Sequence, residues 1–150
     1  MYEPIRTKSV HTMADAPEDF PHRSREEELD IQLAGHLAAL LAVTDDLRAL
    51  SPGTDLADLD AAAEQLAREV ARLRDGEPPV RAGAAPGDGS PAADTGTDPR
   101  VAALHQRAHA LAGRALVVAA SRADTAAAIL AARRMDAHAA AQEGRQLAAC

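Results

Sequence analysis

SREEELDIQLAGHLAALLAVTDDLRALSPGTDLADLDAAAEQLAREVARLRD, residues 24–75, decides the fold. Leu29, Leu33, Leu37, Leu40, Val43, Leu47 and Leu50 recur every three or four residues, with Leu41 widening the stripe. That spacing puts one apolar face on a helix. Ser24 and Glu27 form an S-x-x-E capping box, and Glu26, Glu27 and Glu28 suit the positive end of a helix dipole. Ser51-Pro52-Gly53 ends the helix near Leu50. A second run, starting at Thr54 or Asp55 and ending about Asp75, carries Leu56, Leu59, Ala63, Leu66, Val70 and Leu73. Two amphipathic helices joined by three residues form an antiparallel hairpin.

Downstream, residues 76–98 crowd nine Gly and Pro into one window: Gly76, Pro78, Pro79, Gly83, Pro86, Gly87, Gly89, Pro91 and Gly96. This composition reads as a disordered linker. Asp98-Pro99 supplies an N-cap followed by proline at the first helical position. Val101, Leu104, Ala108, Leu111, Ala115 and Val118 then continue a heptad, with Leu116 and Val117 broadening the face. Neither Gly nor Pro interrupts the chain from Val118 to Gly144, so one helix over 99–143 would reach about 65 Å. The hairpin is only about 35–40 Å long by the same rise. We therefore expect a continuous or kinked third helix whose overhang is covered by self-association. The alternatives are a solvated, alanine-stabilised extension and a fold-back near Ser121, where Ser121-x-x-Asp124 could cap a fresh helix. The fold class is all-α: a helical hairpin plus a long or broken third helix, in a three- or four-helix bundle. Residues 1–23, interrupted by Pro4, Pro17 and Pro21, read as a flexible tail, and 24–150 as a single helical domain.

Composition narrows the function classes. About a quarter of the residues are Ala, and Tyr2 and Phe20 are the only aromatics. The core must be built from Leu, Val, Ile and Ala. The net charge is −7, and residues 1–75 hold 8 Lys and Arg against 16 Asp and Glu. An acidic chain without stacking aromatics argues against nucleic-acid binding. The longest apolar runs, Leu37–Val43 and Ala115–Ala120, are too short to span a bilayer, so a soluble cytoplasmic protein is expected. Cys150 is the only cysteine and is read as an exposed thiol.

His105 and His109 are the most suggestive pair, because residues four apart on a helix can share one metal ion. The motif lacks a zincin's Glu, since Gln106 follows His105. The seam through Val101, Leu104 and Leu111 turns both histidines away from the core, and a metal would need a further ligand such as His138. His36, inside the first apolar stripe, is expected to be buried with a hydrogen-bond partner. Glu27-x-x-Asp30 and Asp55-x-x-Asp58 could hold Mg²⁺ only if they met, and an antiparallel hairpin keeps them apart. Arg100, Arg107 and Arg114 flank the third helix's seam, and Asp55, Asp60 and Glu69 flank the second's. Those charges read as helix-pairing signals. No catalytic constellation is evident, no cofactor motif occurs, and enzymatic activity is not expected.

Arg25–Leu37 (REEELDIQLAGHL) and Ala115–Ala128 (ALVVAASRADTAAA) resemble segments of small actinobacterial helical proteins. The resemblance implies a helical fold and a bacterial cytoplasm, and it supplies no activity or site residue. The functional expectation is therefore a non-enzymatic interaction or oligomerisation module with a protein partner or a second copy. The alternatives are a metal-binding bundle enzyme or sensor using His105 and His109, and a small acidic regulator or antitoxin-like partner.

Overall fold

The computed structural model describes residues 23–81 and 98–148. They form four helices and no strand: α1 (Arg25–Leu50), α2 (Thr54–Leu73), α3 (Pro99–Arg122) and α4 (Thr125–Ala148). Residues 1–22 of the predicted tail, residues 82–97 of the predicted linker, and Cys150 lie outside the described residues. No helix among the described residues is long and apolar enough to cross a membrane.

Each helix starts where its local chemistry directs. Ser24 accepts from the Glu27 backbone N–H at 3.1 Å, and the Ser24 N–H donates to the Glu27 carboxylate at 2.9 Å. The capping box thus satisfies two otherwise orphaned donors. Asp98 accepts from the Arg100 N–H at 2.9 Å, with Pro99 opening α3. Gly53, the N-cap of α2, takes φ 75°, a backbone that favours glycine.

The predicted leucine stripe of α1 is the main core wall. Leu33, Leu37, Leu40 and Leu47 are fully buried, with Leu41 and Val43 beside them. α1 packs on both α2 and α3, α3 packs on α4, and α2 touches α4. Ion pairs fix the directions. Arg122 at the end of α3 bonds Asp30 at the start of α1 at 2.9 Å, so α3 runs antiparallel to α1. Arg72 at the end of α2 meets Asp124 at the head of α4, and Arg134 of α4 meets Asp58 near the start of α2 at 3.3 Å. α2 and α4 are therefore antiparallel as well. α3 consequently starts at the opposite end of the bundle from where α2 finishes. The connection between them has to span the bundle's length, about 30 Å for the 20 residues of α2. This explains why so long a connection is present. Its first part already climbs back along the hairpin: Arg81 bonds Asp45 of α1 at 2.6 Å and Glu64 of α2 at 3.3 Å.

The chain breaks at residues 122–124, not in one long rod. α3 ends in a Schellman turn: Ala123 N–H donates to Ala120 C=O at 3.1 Å and Asp124 N–H to Ala119 C=O at 2.9 Å. Ala123 sits in the left-handed region at φ 57°, ψ 31°. The Asp124 carboxylate accepts from Ala127 N–H at 3.1 Å and caps α4. Asp124, not Ser121, does the capping; the Ser121 hydroxyl donates back to Val117 C=O at 3.0 Å. The fold-back removes the overhang that pointed to self-association. The interhelical charge pairing also differs from expectation. α2 and α3 are diagonal, so Asp60 pairs with Arg48 at 2.6 Å and Glu69 with Arg72. None of the ion pairs among the described residues uses Arg100, Arg107 or Arg114. Asp30 and Asp58 instead serve as partners of Arg122 and Arg134.

The turn yields a stability prediction. Ala123 is exposed, so Ala123→Gly relieves its left-handed backbone without loss of packing. Chemical denaturation should show a gain of about 1 kcal/mol. Asp124→Ala removes a cap and an ion-pair partner, and should cost about 1–2 kcal/mol.

Candidate functional site

α3 presents two seams. The one read from sequence includes Leu104 and Val118, both half-buried. The other runs Val101, His105, Ala108, Ala112, Ala115 and Ala119, all buried. On α4 the buried positions are Ala127, Ala131, Arg134 and His138. Methyl-lined faces let two helices approach closely along most of their length. Toward the end where α2 and α3 begin, the facing seams change from alanine to His105, His138 and Arg134. Val117, expected to widen the apolar face, instead points outward at 66% exposure.

His105 and His138 meet there, Nδ1 to Nδ1, at 3.0 Å, with ring centroids 5.3 Å apart. His138 is 1% exposed and His105 8%. The sequence expectation that His105 faces away from the core is thus overturned, because the alanine seam buries it against α4. One ring nitrogen must donate while the other accepts, so the bonded pair carries one proton between the two Nδ1 atoms. Burial pushes the His105 imidazole down to about 4, with Arg145 and Arg134 adding to the effect and Asp55 opposing it. Burial likewise pushes His138 down to about 3, reinforced by Arg134 and then by His105 and His109. Both rings are neutral at pH 7.

The pair sits in the wall of a cleft of about 510 Å³ at that end of the bundle. Asp55 and Asp58 come from the first turns of α2, and Arg134, His138 and Arg145 come from α4. Arg134 is 6% exposed, and its ion-pair partner Asp58 is largely solvated. Two atoms in this wall are buried without a hydrogen-bond partner: Arg134 Nε and His138 Nε2. The residues lie four apart, on one face of α4.

His109 lies one turn beyond His105 and is half-buried. The structure joins His105 to His138 in place of a His105–His109 pairing. Among the described residues, no three of His, Cys, Asp or Glu are grouped so as to hold a metal ion. His36 is half-buried, not buried, and lines a groove between α1 and α3 with Gly113 and Val117. Arg134 was missed in the sequence. The available signal was an Ala127, Ala131, Arg134, His138 stripe at helical spacing, in which small residues concealed the seam.

The fold and this cleft define an all-α bundle with a polar end-site. Comparison with known proteins adds no relative: the chain matches no protein-family model, no curated protein and no solved structure.

The pair gives the protein a distinct acid response. The ordinary histidine value is 6.5, and both folded values lie well below it. As pH falls below 6.5, the unfolded chain binds protons that the folded chain excludes, so stability declines. The loss approaches about 1.4 kcal/mol per pH unit for each imidazole until its folded value is reached. Urea unfolding between pH 7 and pH 4.5 should show this slope, and the double variant His105→Leu/His138→Leu should lack it. Each single Leu variant strands a buried ring nitrogen and should be less stable at pH 7 than the double variant.

Proposed function

We propose that this chain is a non-enzymatic binding module, a helical bundle that takes a small charged ligand in the cleft between α2, α3 and α4. The observation that carries this reading is the pair of unsatisfied atoms, Arg134 Nε and His138 Nε2, in the cleft wall. Folded proteins leave few buried polar atoms unpaired. Each one costs about 1–3 kcal/mol. An incoming acceptor that satisfies both is a physical reason for tolerating that cost. The cleft volume also falls in the range that holds a small molecule.

Binding is better supported than catalysis. A general base works best with a value near the working pH, whereas these imidazoles are depressed to about 4 and about 3. A resident metal on His105 and His109 is less favoured. To use the His105 Nδ1 it would have to break the bond to His138, and it would do so near the positive charges of Arg134 and Arg145. The single cysteine suits a reducing cytoplasm.

A second reading keeps the expected protein-interaction role. Ile129 is 48% exposed and borders an almost wholly apolar groove of about 300 Å³ beside the α3–α4 turn, lined by Ala120, Ala123, Ala128 and Ala132. Self-association or a protein partner would use this face. The acidic-regulator reading draws support from the net charge alone.

Long-range ¹H–¹⁵N spectra of the histidine rings provide the test. Acetate, inorganic phosphate and small amino acids are added in turn, then Zn²⁺ or Ni²⁺. The proposal expects at least one of the organic or phosphate probes to shift the His138 ring nitrogens and raise the melting temperature. A response to the metals alone would replace it with the metal reading, and no response to any probe would remove it. For the second reading, light scattering at high micromolar concentration should show association that Ile129→Glu abolishes; a monomer throughout counts against it.

A further inference from the structure

The cleft is chemically polarised from buried wall to rim. Arg134 and His138 are buried lining residues, 6% and 1% exposed, and each holds one nitrogen closed off from solvent and without a hydrogen-bond partner. The carboxylates of Asp55 and Asp58 stand at the solvent side, with Asp58 at 69% side-chain exposure. Ala137 and Ala141 of α4, together with Leu59 of α2, leave an apolar stretch of wall. Building on the ligand-binding reading above, we infer that the occupant is a small amino-carboxylate, bound with its carboxylate inward and its ammonium group outward.

The chemistry at each end fits. A carboxylate accepts charge-assisted hydrogen bonds from a guanidinium strongly and with defined geometry. It also gives the stranded Arg134 Nε–H an acceptor. The same carboxylate can accept from His138 Nε2 when that nitrogen carries the ring proton. His138 Nδ1 is then the acceptor in the 3.0 Å bond, and His105 Nδ1–H the donor. The ligand would thereby select one tautomer of the pair. At the rim, an ammonium group meets Asp55 and Asp58, and it compensates Asp58 as the incoming carboxylate competes for Arg134. Inorganic anions can meet Arg134 and Arg145 but have no cationic group to offer those two carboxylates, which repel them. A simple amine has nothing to satisfy the buried donors.

Titrations of the full chain at pH 7 with L-alanine, acetate, methylammonium and inorganic phosphate test this, read by the His138 ring ¹⁵N shifts. L-Alanine should bind about threefold to fivefold more tightly than acetate, the effect expected of one solvated ion pair at the rim. Methylammonium should produce no shift. Alanine should also move His138 Nε2 to the protonated form and His105 Nε2 to the unprotonated form. Asp58→Asn removes the charge but keeps an amide oxygen that can accept from Arg134, and circular dichroism checks that the helices persist. In that variant the alanine-to-acetate ratio should fall toward one. Arg134→Met should lose both ligands, with circular dichroism confirming that the helices persist. If Arg134→Met unfolds, the Asp58→Asn ratio still decides. Acetate or phosphate binding as tightly as alanine in the unaltered protein would overturn the amino-carboxylate assignment while leaving a ligand-binding cleft. Silence from all four probes would remove this inference, and failure across the wider panel would remove the binding module too.

Discussion

α3 and α4 pack on each other, and Ala108, Ala112, Ala115 and Ala119 of α3 and Ala127 and Ala131 of α4 are all fully buried in the same core. Alanine contributes little transfer free energy per residue compared with leucine. It instead costs almost no side-chain entropy and lets backbones come close. Everything distinctive about the molecule follows from that contact. It requires the chain to reverse after Arg122, and it sets the register that brings His105 to His138. It also leaves α1, with its fully buried leucines, as the wall on which both α2 and α3 rest.

Ion pairs orient the helices more than they stabilise them. Arg48, Arg72, Arg81 and Arg122 each hold carboxylates at the bundle surface, where such pairs contribute modestly. Arg81 and Arg48 nevertheless outweigh burial at Asp45 and hold its carboxyl below the usual value. Arg72 and the Ala127 N–H do the same for Asp124. Arg134 differs because it is buried, with a single long contact to a solvated carboxylate. A surface charge can relax into water, whereas a buried one depends on the groups packed around it.

The first two helices and the start of α3 were legible in the residues. The Ser24–Glu27 box, the Ser51-Pro52-Gly53 turn and Asp98-Pro99 act through groups within a few positions of each other, so local order is enough to read them. The site was only partly legible. His105 drew notice as a possible ligand, yet the leucine seam of α3 pointed it outward. Arg134 and His138 lay in a segment whose large apolar residues thin out, and so their stripe carried no ordinary hydrophobic signal.

By itself, the sequence determined that two stretches forming a hairpin and a third from residue 99 onward would be helical, where those three begin, and that leucines of the first would be buried. Capping and periodicity are short-range effects, and they do not depend on what packs opposite. Only the tertiary structure decided between a long third helix and a fold-back, because Ala123 has no local mark of a left-handed turn until Asp124 finds both its cap and Arg72. It alone also decided which histidines meet. On a helix lined with alanine two faces can be buried equally well, and the partner's surface selects between them.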